Sequence, residues 1–99
     1  MTFKFILSLF AELDLDTIYE RYTLHDELIF QKFLKGFEDE LKNILSNPYQ
    51  FQAMHRNIRR SVIKKFPYSI FYSINKETVI ILSVVHHKRN PNIWKRRKV

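Results

Sequence analysis

At Asn47-Pro48 the hydrophobic period of this chain changes from 3.6 to 2, and that switch constrains the fold more than any other feature. Ahead of it, Phe30, Phe33, Leu34, Phe37, Leu41, Ile44 and Leu45 recur at helical spacing, which lays an apolar stripe along one side of a helix. The spacing predicts a helix over about 25–46, ending there because the residue before a proline avoids the helical region. The aromatic members of the stripe read as core. Beyond Pro48, residues 57–65 read as a strand rich in positive side chains, and 66–74 as another in which Phe66, Tyr68, Ile70, Tyr72 and Ile74 share one face.

The remaining elements follow from the same patterns. Residues 3–8 are a short β-prone run, and Ser8 is a plausible N-cap for a helix over about 9–23. In that helix Ala11, Leu15, Ile18, Tyr19 and Tyr22 fall at helical spacing, while Glu12, Asp16 and Glu20 face out. Asn75-Lys76-Glu77 is a hairpin turn. It leads into residues 78–85, apolar on both faces, as expected of a central strand covered on each side. The expected class is α+β: a strand, a two-helix hairpin, then a three- to four-stranded antiparallel sheet with the helices packed on one face.

A chain of 99 residues supports one core and one domain, spanning 1–99, with a basic tail over 86–99. There is no cysteine, so disulfides, cysteine zinc sites and thiol catalysis are excluded, and a cytoplasmic home fits. The first ten residues do not read as a secretion signal, because the apolar run stops at Phe10 and passes into Glu12, Asp14 and Asp16. No run approaches the length of a membrane span, and no membrane partner is expected.

Charge is segregated along the chain. Residues 1–40 hold four Lys or Arg against nine Asp or Glu, net −5, whereas residues 41–99 hold thirteen basic residues against Glu77 alone, net +12. A field of that shape steers anionic partners to one face. The candidate contacts are Arg56, Arg59, Arg60, Lys64 and Lys65 from the strand region, and Lys88, Arg89, Lys95, Arg96, Arg97 and Lys98 after the last strand. If the tail returns alongside the sheet, the two groups merge into one surface suited to phosphate or carboxylate.

Other chemistry is thinly represented. Tyr68 and Tyr72 are in phase with core residues; Trp94 either stacks on a base or pins the tail to the sheet. His86 and His87 are neighbours on a strand and point to opposite faces, so they do not share a metal ion, and no metal or cofactor is expected. With one glycine there is no phosphate-cradling loop, and no carboxylate pair falls in the basic half. A small-molecule substrate is therefore not expected. Any catalysis would be that of a metal-independent ribonuclease, with a histidine among arginines as acid or base.

Four segments together resemble the RelE/ParE toxins of bacterial type II toxin-antitoxin systems. They are Ala11-Glu-Leu-Asp14-Leu-Asp-Thr-Ile18-Tyr19, the amphipathic helix with Asn47-Pro48, Phe66-Pro67-Tyr68-Ser-Ile70-Phe-Tyr72, and Val84-Val-His86-His-Lys-Arg89-Asn-Pro91-Asn-Ile-Trp94. The resemblance covers nearly the whole length in the same order. It implies a growth-inhibiting toxin neutralised by an acidic antitoxin that wraps its basic surface. Two activities occur in the superfamily: RelE-like members cut messenger RNA on the ribosome, and ParE-like members poison DNA gyrase.

Against the cutting members, this chain has Ser69 where they commonly place an arginine, so a transition-state phosphate loses its cation unless Arg59 or Arg60 replaces it. A catalytic tyrosine at the end of the tail is also missing. His86, His87 and Arg59 remain as a catalytic set if the chain is a ribonuclease. The Phe-Pro-Tyr entry and the His-x-x-Arg-x-Pro-x-x-Trp ending are more similar to the ParE side. On that reading Arg56, Arg59, Arg60, Lys64, Lys65, Lys88, Arg89, Trp94, Lys95 and Arg96 contact the target. A basic nucleic-acid-binding module without toxicity is the third expectation.

Overall fold

Ser8 is where strand gives way to helix. In the computed structural model, which describes residues 3–88, its hydroxyl accepts from the Ala11 N–H (3.2 Å) and donates to the Leu82 carbonyl (3.0 Å). One side chain thus caps a helix and ties its start to a strand. Strand β1 (Lys4–Leu7) ends here and helix α1 (Leu9–Thr23) begins. Helix α2 (Glu27–Ser46) starts at Asp26, whose carboxylate accepts from the Leu28 N–H at 2.9 Å, and stops at Asn47, before Pro48. A 3-10 turn (Pro48–Gln50) follows, then β2 (Ala53–His55), β3 (Ile58–Val62), β4 (Tyr68–Asn75) and β5 (Thr78–His86).

The architecture is α+β, with a sheet larger than the three to four antiparallel strands expected. Five strands lie in the order β1-β5-β4-β3-β2; β1 runs parallel to β5, from Lys4 opposite Thr78 to Leu7 opposite Ile81, and the other pairs are antiparallel. β2 has three residues, Ala53, Met54 and His55, and none of them is among the β-branched and large aromatic residues enriched in strands, so it carries almost no strand pattern of its own. The parallel pairing of β1 is a long-range closure that local periodicity does not encode. Residues 63–67, expected to be strand, form the connection between β3 and β4.

Both helices cover one face of the sheet. Ala11 and Ile18 of α1 and Phe33, Phe37, Leu41 and Ile44 of α2 pack on Ile63, Tyr68, Ile70, Tyr72, Val79, Ile81 and Val84. Phe33 is the hub: its ring meets Phe66 and Tyr68 edge to face, each at 5.4 Å. Tyr68 and Tyr72 are buried, as their phase with the core residues requires. The chain's only glycine, Gly36, sits on α2 where it comes close to the β3–β4 connection; a Cβ there would lie 3.3 Å from Ile63 Cγ2. A second cluster of Ile58, Phe71, Leu82 and Val85 lies on the opposite face. No helix among the described residues is long and apolar enough to cross a membrane.

One buried acid fixes the end of β5. β1 stops opposite Ile81, leaving the edge of β5 beyond that point without a strand neighbour among the described residues. There the Asp14 carboxylate, on α1 and buried, accepts from the Val84 N–H at 2.9 Å. A side chain of the helix replaces the missing strand and satisfies a backbone donor that would otherwise be orphaned. The segment it steadies is the one that carries His86 and His87.

Candidate anion-binding site

Consecutive arginines on β3 have opposite fates, because successive strand residues point to opposite faces. Arg59, opposite Tyr72 in the register, turns to the helix side. Its guanidinium donates to the carbonyls of Tyr49 and Phe51 and lies 5.3 Å from the centre of the Tyr49 ring. Arg59 is therefore engaged in fastening the segment after α2 onto the sheet. Next to it, Ser61 donates to the Glu40 carboxylate, and the Tyr72 hydroxyl donates to the Pro48 carbonyl at 2.6 Å. Burial, only partly offset by Arg59, pushes the Tyr72 hydroxyl up to about 12.

Arg60 points the other way. Its Nε–H donates to the Ser69 hydroxyl on β4 at 3.0 Å, and the same oxygen lies 2.9 Å from His87 Nε2. His87 is held from a second direction, its backbone N–H donating to the Pro67 carbonyl at 2.8 Å. Ser69 is 2 % exposed, whereas Arg60 and His87 are open to solvent. With Arg60 donating, the serine's own hydrogen is left for His87 Nε2, which puts the ring hydrogen on Nδ1; a protonated ring donates to Ser69 instead. The three side chains form one linked group on the face away from the helices.

His86 lies on the other face, as expected of a strand neighbour. It is opposite Tyr68 in the register and packs edge to face on that ring at 5.0 Å, and its Nδ1 accepts from the Lys88 N–H at 3.0 Å. The expected set of His86, His87 and Arg59 does not converge on one point. The residue that joins His87 is Arg60, and the residue that links them is Ser69, which sequence reasoning treated as a missing arginine. Arg60, on the neighbouring strand, brings a guanidinium to that very position.

The other expected contacts divide between the two ends of the sheet. Lys64 and Lys65, in the β3–β4 connection, and Lys88, after β5, are exposed at the end that carries His87. Arg56 is at the far end, in the β2–β3 turn. It lines a groove of about 350 Å³ with Asn57, Ile58, Asn75, Ile80 and Leu82. Arg89, Trp94, Lys95 and Arg96, like Arg97 and Lys98, lie outside the described residues. Lys35 pairs with Asp39 on α2 at 3.6 Å. Arg60, Lys64, Lys65 and Lys88 instead present charge that no acid of the described residues neutralises.

Backbone conformation marks the same residue type. Among the described residues Arg56, Lys65 and Lys76 are the non-glycine residues with positive φ, at 52°, 66° and 56°, and they occupy the three successive connections β2–β3, β3–β4 and β4–β5. A side chain in the left-handed region costs about 1 kcal/mol. Each tight connection of the sheet holds a basic residue where glycine or asparagine would be easier.

A linked Arg-Ser-His group whose arginine and histidine are exposed, at a sheet end where Lys64, Lys65 and Lys88 are paired with no acid of the described residues, suits binding of an oxyanion. The family model for the ParE toxin of type II toxin-antitoxin systems, parDE, matches residues 5–91. The chain belongs to the ParE toxin family. Among solved structures, this ParE-family chain is similar to one described as "Chromosomal ParDE TA system from P. aeruginosa". The two are 19% identical, with a TM-score of 0.65, over 86% of this chain and 96% of that one. At that identity the likeness is one of fold. No curated protein matches the chain.

Proposed function

We propose that this ParE-family chain arrests growth by binding an essential cytoplasmic target through the basic end of its sheet, and that an acidic antitoxin neutralises it by covering the same surface. The target is DNA gyrase, as membership of the ParE side implies. The observation that carries the reading is the set of exposed cations, Arg60, Lys64, Lys65 and Lys88, gathered toward one end of the sheet and paired with no acid of the described residues. Such a surface favours fast, oriented capture of a strongly anionic partner. Arg89, Trp94, Lys95 and Arg96 extend the proposed contact set along the chain.

Inhibition of supercoiling by purified gyrase tests this directly. The wild-type chain is expected to inhibit, and addition of an acidic antitoxin to relieve the inhibition. A chain without effect on gyrase sinks the proposal.

One observation favours a second reading, that of a ribosome-dependent, metal-independent endoribonuclease: His87 and Arg60 share the Ser69 hydroxyl, at 2.9 and 3.0 Å. A general acid or base beside a phosphate-binding cation is what such a reaction needs. Cell-free translation distinguishes the two. Codon-specific messenger RNA cleavage abolished by His87→Ala would establish the nuclease.

A further inference from the structure

We infer that the outer edge of β1 pairs with the same strand of a second copy of this chain, antiparallel and about a two-fold axis at Ile6, so that two five-stranded sheets join into one. The inference does not depend on what the chain's target is.

The edge has a definite hydrogen-bonding pattern. β1 closes one side of the sheet and pairs only with β5 among the described residues. The Lys4 N–H donates to the Glu77 carbonyl and the Ser8 N–H to the Ile81 carbonyl, each at 2.9 Å, so the even-numbered residues of this stretch face β5. By alternation the N–H and C=O groups of Phe5 and Leu7 face outward. An antiparallel copy centred on Ile6 sets Phe5 opposite Leu7 of the second copy, and Leu7 opposite its Phe5. Every outward donor and acceptor of both strands then has a partner. Each side chain also stays on its own face, because the paired positions are both odd or both even.

The surroundings of this edge suit a copy better than an anionic partner. Ile6 is 50 % exposed, and Leu9, just beyond the strand, is 66 % exposed; a bare apolar edge of this kind invites pairing. The register centred on Ile6 sets Lys4, the one charge of β1, opposite Ser8 of the second copy, so it meets no like charge. Phe5 lines a groove of about 300 Å³ with Leu41, Lys35, Lys42, Glu38 and Asp39 of α2, two charges of each sign. A patch of balanced sign can face itself across a two-fold axis, and it offers an acidic chain no net attraction. The cluster of Arg60, Lys64, Lys65 and Lys88 has the opposite property, since a second copy of it would be repelled.

Sedimentation equilibrium of the full chain tests the pairing, together with amide hydrogen exchange at low and high chain concentration. Four residues a side make a small interface, so a dissociation constant on the order of 10 μM is expected. The wild type should pass from monomer to dimer around that concentration, with exchange of the Phe5 and Leu7 amides slowed several-fold in the dimer. Ile6→Lys sets two like charges face to face at the axis, and should weaken association by about tenfold or more with little change in unfolding midpoint. Phe5→Pro removes an outward N–H while sparing the bonds to β5, and should abolish the dimer. Leu28→Lys, at an exposed leucine of α2, adds the same charge elsewhere and should leave association unchanged.

A chain that stays monomeric at every concentration overturns the inference. So does a dimer that survives both Ile6→Lys and Phe5→Pro. A dimer that dissociates steeply as salt rises overturns it too, because that response marks a contact of the acidic helices with the basic end of the sheet. Protection of Phe5 and Leu7 that appears only when an acidic antitoxin is added assigns the edge to that partner and contradicts the pairing proposed.

Discussion

The two faces of β3 make different uses of the same residue type. On the helix face Arg59 is drawn into the protein by the Tyr49 and Phe51 carbonyls and the Tyr49 ring. On the opposite face the exposed Arg60 makes, among the described residues, one side-chain bond, to Ser69, and the proposed function gives the rest of its fork to a partner. The difference arises from strand alternation and from what stands on each side. Pro48–Gln50 lies within reach of one face, with its backbone carbonyls to satisfy; the other offers a serine and a histidine. An arginine on a basic strand is therefore not a binding residue by default, and its role is set by whether the fold has already taken up its donors.

That contrast can be broken or sharpened by substitution. The largest expected effect is on the helix face: Phe33→Ala removes the ring at the centre of the core and should cost about 3–5 kcal/mol in urea unfolding. A change of that size shows that stability resides on this face.

Tyr72 gives the contrast a pH signature. Its hydroxyl is raised from 10.0 in the unfolded chain to about 12 in the fold, so its protonated form is the one stabilised. That contribution is complete below about pH 10 and is lost as pH rises through about 12. Over this window the wild type should lose about 2–3 kcal/mol more than Tyr72→Phe, read as the difference in their urea midpoints.

Arg59→Ala strips the Tyr49 and Phe51 carbonyls of their donor and should destabilise by about 1–3 kcal/mol in the same assay. Arg60→Ala should stay within about 0.5 kcal/mol of wild type. The smallest effect concerns Lys65, held at φ 66°. Lys65→Gly should relieve about 1 kcal/mol of left-handed strain while weakening capture of the anionic partner. A gain in midpoint with unchanged binding would mean that this lysine serves neither.

Much of the fold was legible because its strongest signals are local. The period of Phe30 through Leu45 placed α2, Pro48 ended it, Ser8 capped α1, and the two-sided apolar run from Thr78 marked β5 as an inner strand. What escaped depended on distant partners. β2 consists of Ala53, Met54 and His55, which have no strand pattern until β3 is beside them. The parallel pairing of Lys4–Leu7 with Thr78–Ile81 exists only after the helix hairpin has carried the chain back.

The site was legible in composition more than in geometry. Charge segregation singled out Lys64, Lys65 and Lys88, which gather at one end of the sheet, though it also included Arg56 at the other, and alternation separated His86 from His87. Register decided the rest. Arg59↔Tyr72 and Val62↔Ser69 turn one arginine inward and bring the other to Ser69, and no spacing along the chain reveals a pairing between strands. Asp14 offered one usable clue, an acid on the buried side of an amphipathic helix, which marks a polar group that must have a partner in the fold.

Arg59→Ala and Arg60→Gln, measured side by side for urea midpoint and for inhibition of gyrase supercoiling per folded molecule, test this account most directly. It predicts that the two effects cross: Arg59→Ala lowers the midpoint and keeps near-wild-type inhibition, whereas Arg60→Gln keeps the midpoint and loses most of the inhibition. Two variants that fall together in both measurements, or an Arg60→Gln chain that inhibits as well as the wild type, would contradict it.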